Sequence, residues 1–156
     1  MDIDLRLTSR KDFTFLHETA LRWSDFDKLQ HLNNVTYHRL HEIVITHFLA
    51  AAGLDWQRDS VIPFVVENAC CYCRPVDGGD TVMTALRVAA LGRTSLRYEL
   101  AIFDQEQVTP ASYGYFTHVF VDRNTGQPGE IPLRMRSFLQ GYLVSGKNDR
   151  PGEDEQ

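Results

Sequence analysis

A chain that must bury one long helix on more than one side has few ways to fold, and residues 34–52 read as such a helix. Tyr37, Leu40, Val44, Phe48 and Ala51 recur at helical spacing on one face. Ile43 and Ile45 carry the apolar character round much of the circumference, so the segment needs cover from several directions. Asn33 or Asn34 suits the first cap, and Gly53 suits the end.

The cover must come from the rest of the chain. Residues 13–23 alternate imperfectly and read as a first strand. Residues 64–74 (closed by Pro75), 81–91, 94–103 and 111–121 read as four more in hairpin succession, with Asp77-Gly78-Gly79-Asp80 as a hairpin turn. Within the fourth, Leu96, Tyr98, Leu100 and Ile102 alternate cleanly with Ser95, Arg97, Glu99 and Ala101. Pro132 opens a short helix running to about Tyr142. This order predicts an α+β domain over 13–143, a long central helix wrapped by a five-stranded antiparallel sheet. Residues 1–12 are expected as a flexible arm and 144–156 as a disordered tail. The last strand carries Tyr113, Tyr115, Val119 and Val121 on one face, with Phe116 and Phe120 on the other. A sheet apolar on both sides needs two covers. The helix supplies one and a second copy the other, so a homo-oligomer is expected, either a dimer or a dimer of dimers.

Composition narrows the function. The net charge is −5 with no basic stripe, which argues against a nucleic-acid partner. No apolar run approaches the ~18 residues of a membrane span, and the N-terminus lacks a signal-peptide core; a cytoplasmic protein is expected. Cys70, Cys71 and Cys73 match neither a C-x-x-C motif nor a disulfide framework and read as buried free thiols. His38, His41 and Glu42, in H-R-L-H-E, match neither H-E-x-x-H nor its inverse, so neither metal nor cofactor is expected.

Chemistry gathers ahead of the helix. The stretch R-W-S-D-F-D-K-L-Q-H-L-N-N-V-T-Y, residues 22–37, places Asp25, Asp27, His31, Asn33 and Asn34 just before the first helical turn. That turn has free backbone N–H groups and a partial positive charge. A carboxylate beside it makes a hydrolytic centre, with amides ready for a developing oxyanion. No G-x-S-x-G elbow offers a serine nucleophile instead. Aspartates before a helix also serve as plain capping residues, and that is the reading for Asp25, which would orient the loop. His31 either donates to substrate or holds the loop. Tyr37 is a helix core residue or a wall of the substrate pocket, and Glu67 an ordinary strand-face or ion-pair residue.

The same stretch resembles the acyl-CoA thioesterase branch of the 4-hydroxybenzoyl-CoA thioesterase family, whose pattern is two aspartates, then G-H-x-N-N and a tyrosine. R-P-V-D-G-G-D at residues 74–80 is similar to that family's R-P-x-x-x-G-D segment. The resemblance implies the hot-dog fold and hydrolysis of an acyl-CoA thioester to a free acid and CoA. By position, Asp27 matches the family's catalytic carboxylate and Asn34 the residue whose backbone N–H polarises the carbonyl, with His31 beside them. Tyr37, Arg93, Thr94, Ser95 and Arg97 would bind substrate, the latter four at the CoA phosphates, often across a subunit interface. Gln30 stands where the family usually has glycine, a departure that bears on loop geometry and substrate range. The alternatives are a thioesterase for acyl carrier protein and a non-catalytic acyl-CoA-binding protein.

Overall fold

The computed structural model describes residues 5, 8–104 and 107–144. Its elements are β1 (Phe15–Ala20), α1 (Asn34–Ala51), β2 (Val61–Tyr72), β3 (Thr81–Leu91), β4 (Ser95–Asp104), β5 (Ser112–Asp122) and α2 (Leu133–Gly141). The five strands form one antiparallel sheet in the order β1-β3-β4-β5-β2. The long helix lies on its inner face, chiefly over β1 and β3. This is the expected hot-dog architecture.

One element of the expected topology is different. β3, β4 and β5 do follow one another as hairpins, but β2 pairs with β5 at the far edge and does not touch β3. The Asp77–Asp80 turn is therefore part of a crossover. Its glycines do turn the chain, with Gly79 at φ +95°. Its neighbours, however, bond elsewhere: the Leu32 amide donates to the Val76 carbonyl at 2.7 Å and the Leu21 amide to the Asp80 carbonyl at 2.7 Å. The crossover is thereby fastened to the loop that leads into α1. The first strand is also shorter than 13–23, because the chain leaves the sheet at Leu21 and coils into a 3₁₀ turn at Trp23–Asp25.

The core lies between α1 and the inner face of β3, β4 and β5. Val44, Ile45, Phe48 and Leu49 pack against Leu86, Val88, Leu96, Tyr98 and Leu100, each fully buried side chain contributing about 1.5–3 kcal/mol. Met135 and Leu139 of α2 close one end. Ala51, expected on the buried face, is exposed, and Ala52 is buried in its place.

The outer face has two parts. Over β3 and β4, Phe13 covers Ala85, Ala101 and Phe103, edge-on to Phe103 at 6.1 Å. Here the chain's own N-terminal segment supplies cover, with Leu5 and Thr8 buried. Over β5 and β2 it does not: Tyr113, Tyr115 and Val119 are half-exposed, and Phe64 and Val66 of β2 are 62% and 53% exposed. The cysteines belong to this edge. Cys70 is half-buried, whereas Cys71 and Cys73 are exposed, contrary to the expectation of buried thiols, because β2 is an edge strand and Cys73 lies past its end. Of the expected tail at 144–156, residues 145–156 fall outside the described residues. Among the described residues no helix is long and apolar enough to cross a membrane.

Candidate active site

The two aspartates ahead of α1 have different surroundings. Asp25 is only 1% exposed. Its carboxylate accepts from the Arg22 amide at 2.7 Å and from the guanidinium groups of Arg22 and Arg39 at 3.1 and 2.9 Å. Its carbonyl accepts from the Asn33 amide at 2.8 Å and the Thr36 hydroxyl at 3.4 Å. Burial pushes this carboxyl up, but the Arg22 amide and the two arginines outweigh it and hold the pKa below the ordinary value. Asp25 clamps the loop to the first turn of the helix.

Asp27 sits on a loop closed upon itself. Its amide donates to the His31 carbonyl at 2.8 Å, and its carbonyl accepts from Gln30 at 3.0 Å. Oδ1 accepts from the amides of Leu29 at 2.8 Å and His31 at 3.2 Å, which fixes the carboxylate's direction. Oδ2 accepts no hydrogen bond from the described residues. Gln30, at φ +62°, is the one non-glycine residue with positive φ among those described. The substitution for glycine therefore leaves the left-handed turn in place and strains it.

At the helix start the Asn33 side chain accepts from the Val35 amide at 3.2 Å, and its carbonyl accepts from the Thr36 amide at 2.9 Å. The Asn34 amide donates to nothing among the described residues. A cavity of about 430 Å³ brings this residue together with Asp27, His31, Tyr37, Tyr72 and Arg74. Two residues that each keep one polar group unbonded among the described residues, Asp27 with Oδ2 and Asn34 with its amide, thus line the same cavity. That pair can attack or deprotonate on one side and stabilise an oxyanion on the other. His31 combines two places in the site, since its backbone closes the Asp27 loop and the residue lines the cavity. Tyr37, 2% exposed, is likewise both core and wall.

The phosphate-binding candidates are elsewhere. Tyr72 is in register with Ser112, and Ser112 with Ile102, so the site lies near the Ile102 end of β4. Arg93 is nine residues away, roughly 30 Å along a strand. It pairs with Glu130 at 3.5 Å. Arg97 stacks over the Tyr115 ring at 3.9 Å and lies 3.8 Å from Glu67, which accepts from the Tyr115 hydroxyl at 2.8 Å. Thr94 and Ser95 share that distant turn, their carbonyls accepting from Phe120 and Gly92. One chain does not bring these four residues to Asp27.

Sequence reasoning missed Tyr72 and Arg74 as wall residues. For Arg74 the signal was the R-P-V-D-G-G-D segment, which has the local look of a hairpin and is in fact the crossover beside the helix. Arg74 is held by Asp104 and by the Thr109 carbonyl at 2.9 Å. Sequence reasoning also missed a buried polar layer under the helix: the Tyr98 hydroxyl and His118 Nδ1 meet at 3.1 Å, and fully buried His41 has no hydrogen-bond partner among the described residues on either ring nitrogen. Burial, with His38 adding to it, pushes the His41 pKa down to about 3, and burial pushes His118 down to about 4.

Residues 21–139 match the model of the thioesterase-like superfamily. The PA5185 protein of Pseudomonas aeruginosa is 35% identical, with a TM-score of 0.85 over 90% of this chain and 99% of that one. A thioesterase of Thermus thermophilus, solved with coenzyme A and zinc, is 25% identical, with a TM-score of 0.72 over 85% of this chain and 96% of that one. SAV2348 of Staphylococcus aureus, solved in complex with CoA, shares the fold at 16% identity, with a TM-score of 0.76 over 85% of this chain and 87% of that one. No curated protein sequence matches the chain significantly.

Proposed function

The chain belongs to the thioesterase-like superfamily, and from that premise we propose that it hydrolyses an acyl-CoA thioester to a free acid and CoA at the Asp27 cavity. The observation that supports the reading is that Asp27, whose Oδ2 is unbonded among the described residues, and Asn34, whose amide is likewise unbonded, line one cavity. The presence of CoA in two structures of the same fold supports the choice of thiol carrier.

The thioester carbonyl oxygen accepts from the Asn34 N–H, which stabilises the negative charge that develops there. Asp27 then acts in one of two ways. As nucleophile, Oδ2 attacks the carbonyl carbon, the CoA thiolate leaves, and water cleaves the resulting anhydride. As base, Oδ2 takes a proton from water, whose oxygen attacks the same carbon, and the thiolate departs with that proton. Asp25 holds the loop in both cases.

The enzyme acts as a homodimer in this reading. β2 is an edge with exposed Phe64 and Val66, and an open apolar edge is a template for another strand. Antiparallel pairing of β2 with its copy reverses direction, so the turn carrying Arg93, Thr94, Ser95 and Arg97 of a second copy approaches the Asp27 end. Guanidinium groups there suit the CoA phosphates.

Replacing Asp27 by Asn should lower kcat/KM for acyl-CoA esters by about 10²–10⁴-fold, with the melting temperature close to that of the unaltered protein. Thiol release monitored alongside thermal denaturation tests this. Full activity in a folded Asp27→Asn protein would overturn the assignment.

A further inference from the structure

Resting on the thioesterase reading, we infer that Tyr72, backed by Tyr37, walls the acyl side of the cavity and restricts it to compact acyl groups no longer than a single aromatic ring, excluding long fatty chains. Tyr72 is the last residue of β2 and, like Cys70 two residues earlier, faces the side of the sheet that carries the helix. Its ring meets Tyr37 edge-on, with centroids 4.9 Å apart and planes at 90°. Its hydroxyl donates to the Asn34 carbonyl at 3.4 Å. The residue whose free amide receives the thioester oxygen therefore also anchors the wall, and an acyl chain starts beside the two rings.

Behind the Tyr37 ring the described side chains are closely packed. Tyr37 belongs to a cluster with Leu40, Val76 and Ile102, all three of them fully buried, and Cys70 packs against it. A chain threading between α1 and the sheet would have to displace these side chains, which are packed at the density of an organic crystal. Tyr72 itself is 49% exposed, so a ring or a short aliphatic group can lie against it from the cavity side. Burial, with the Cys70 thiol alongside, pushes its phenol up to about 12, and the wall is uncharged at neutral pH.

The test is thiol release from butanoyl-, benzoyl- and dodecanoyl-CoA by the full-length protein and by its Tyr72→Ala, Tyr72→Phe and Asp27→Asn variants, each checked for folding by circular dichroism. The unaltered protein is expected to prefer the better compact ester over dodecanoyl-CoA by about tenfold or more in kcat/KM. Tyr72→Ala should shift that ratio toward dodecanoyl-CoA by about tenfold, while Tyr72→Phe, which keeps the ring, keeps the ratio. A native preference for dodecanoyl-CoA, or an unchanged ratio in folded Tyr72→Ala, would overturn the assignment of the wall while leaving an Asp27-dependent thioesterase standing. Turnover of none of the three esters, or turnover indifferent to Asp27→Asn, would remove the thioesterase reading and the wall with it.

Discussion

The two ends of α1 are finished in opposite ways. At its C-terminus the Gly53 amide donates to the Ala50 carbonyl and the Leu54 amide to the Leu49 carbonyl, both at 3.0 Å. This is the paired closure that a left-handed residue makes possible, and Gly53, at φ +97°, supplies that conformation. At its N-terminus one amide is left without an acceptor among the described residues, and the left-handed residue ahead of it is Gln30. The difference is the one that the proposed site requires. The C-terminal end is built for stability alone, whereas the N-terminal end keeps a donor unspent and tolerates strain, as sites that must meet a ligand do.

The comparison breaks first at Asp25. If the N-terminal end is held open by a clamp, removing the clamp should cost far more stability than removing Asp27. Asp25→Ala leaves Arg39 and the Arg22 amide without their buried partner. Breaking such a buried pair costs about 3–5 kcal/mol, discounted here because both arginines are partly exposed. A loss of about 2–3 kcal/mol would lower the melting temperature by roughly 4–12 °C, and thermal denaturation of Asp25→Ala beside Asp27→Asn measures it. Equal melting temperatures would mean that the two aspartates do not differ in role.

The middle of the helix gives a pH test. His41 and His118 stay neutral in the folded chain, with pKa values down to about 3 and about 4, while in the unfolded chain both take up protons near the ordinary value of about 6.5. Folded pKa values below the unfolded ones mean that stability is fully present above about pH 7 and is lost as pH falls through 6 toward 4. The loss is about 1.4 kcal/mol per pH unit for each such histidine. His41→Phe, which forfeits no hydrogen bond to the described residues, should flatten the profile of melting temperature against pH. An unchanged profile would mean that His41 is accessible to protons in the folded protein.

Much of this contrast was legible before the fold was known. The helix, its Asn33 cap and Gly53 stop follow from local propensities, which the packing leaves intact. The separation of Asp25 from Asp27 followed from the resemblance in sequence together with the chemistry of a helix start. What was not legible depends on which strands pair. The Gly-Gly turn carries the same local signal in a hairpin and in a crossover, and only the pairing of β2 with β5 decides between them. The exposure of Cys71 and Cys73 and the place of Tyr72 in the cavity wall follow from that pairing. His41 was hidden for another reason: a polar residue on a helix face shows its burial only once Phe116 lies against it.

The smallest effects bear most directly on the two ends, because exchanging their left-handed residues should change stability in opposite directions. Gly53→Ala has room, since an added Cβ would come no nearer than 4.0 Å to the Arg134 Nε. The backbone angle alone then decides the outcome. The left-handed penalty of about 1–2 kcal/mol exceeds what is recovered by removing glycine's freedom in the unfolded chain, so Gly53→Ala should destabilise by about 1 kcal/mol. Gln30→Gly relieves the same penalty and gives up the same freedom, so it should stabilise by a similar amount, about 1 kcal/mol. Urea denaturation of both variants resolves the signs. If Gln30→Gly destabilises, the left-handed turn is held by contacts of the Gln30 side chain, and the two ends of α1 differ less than their hydrogen bonds imply.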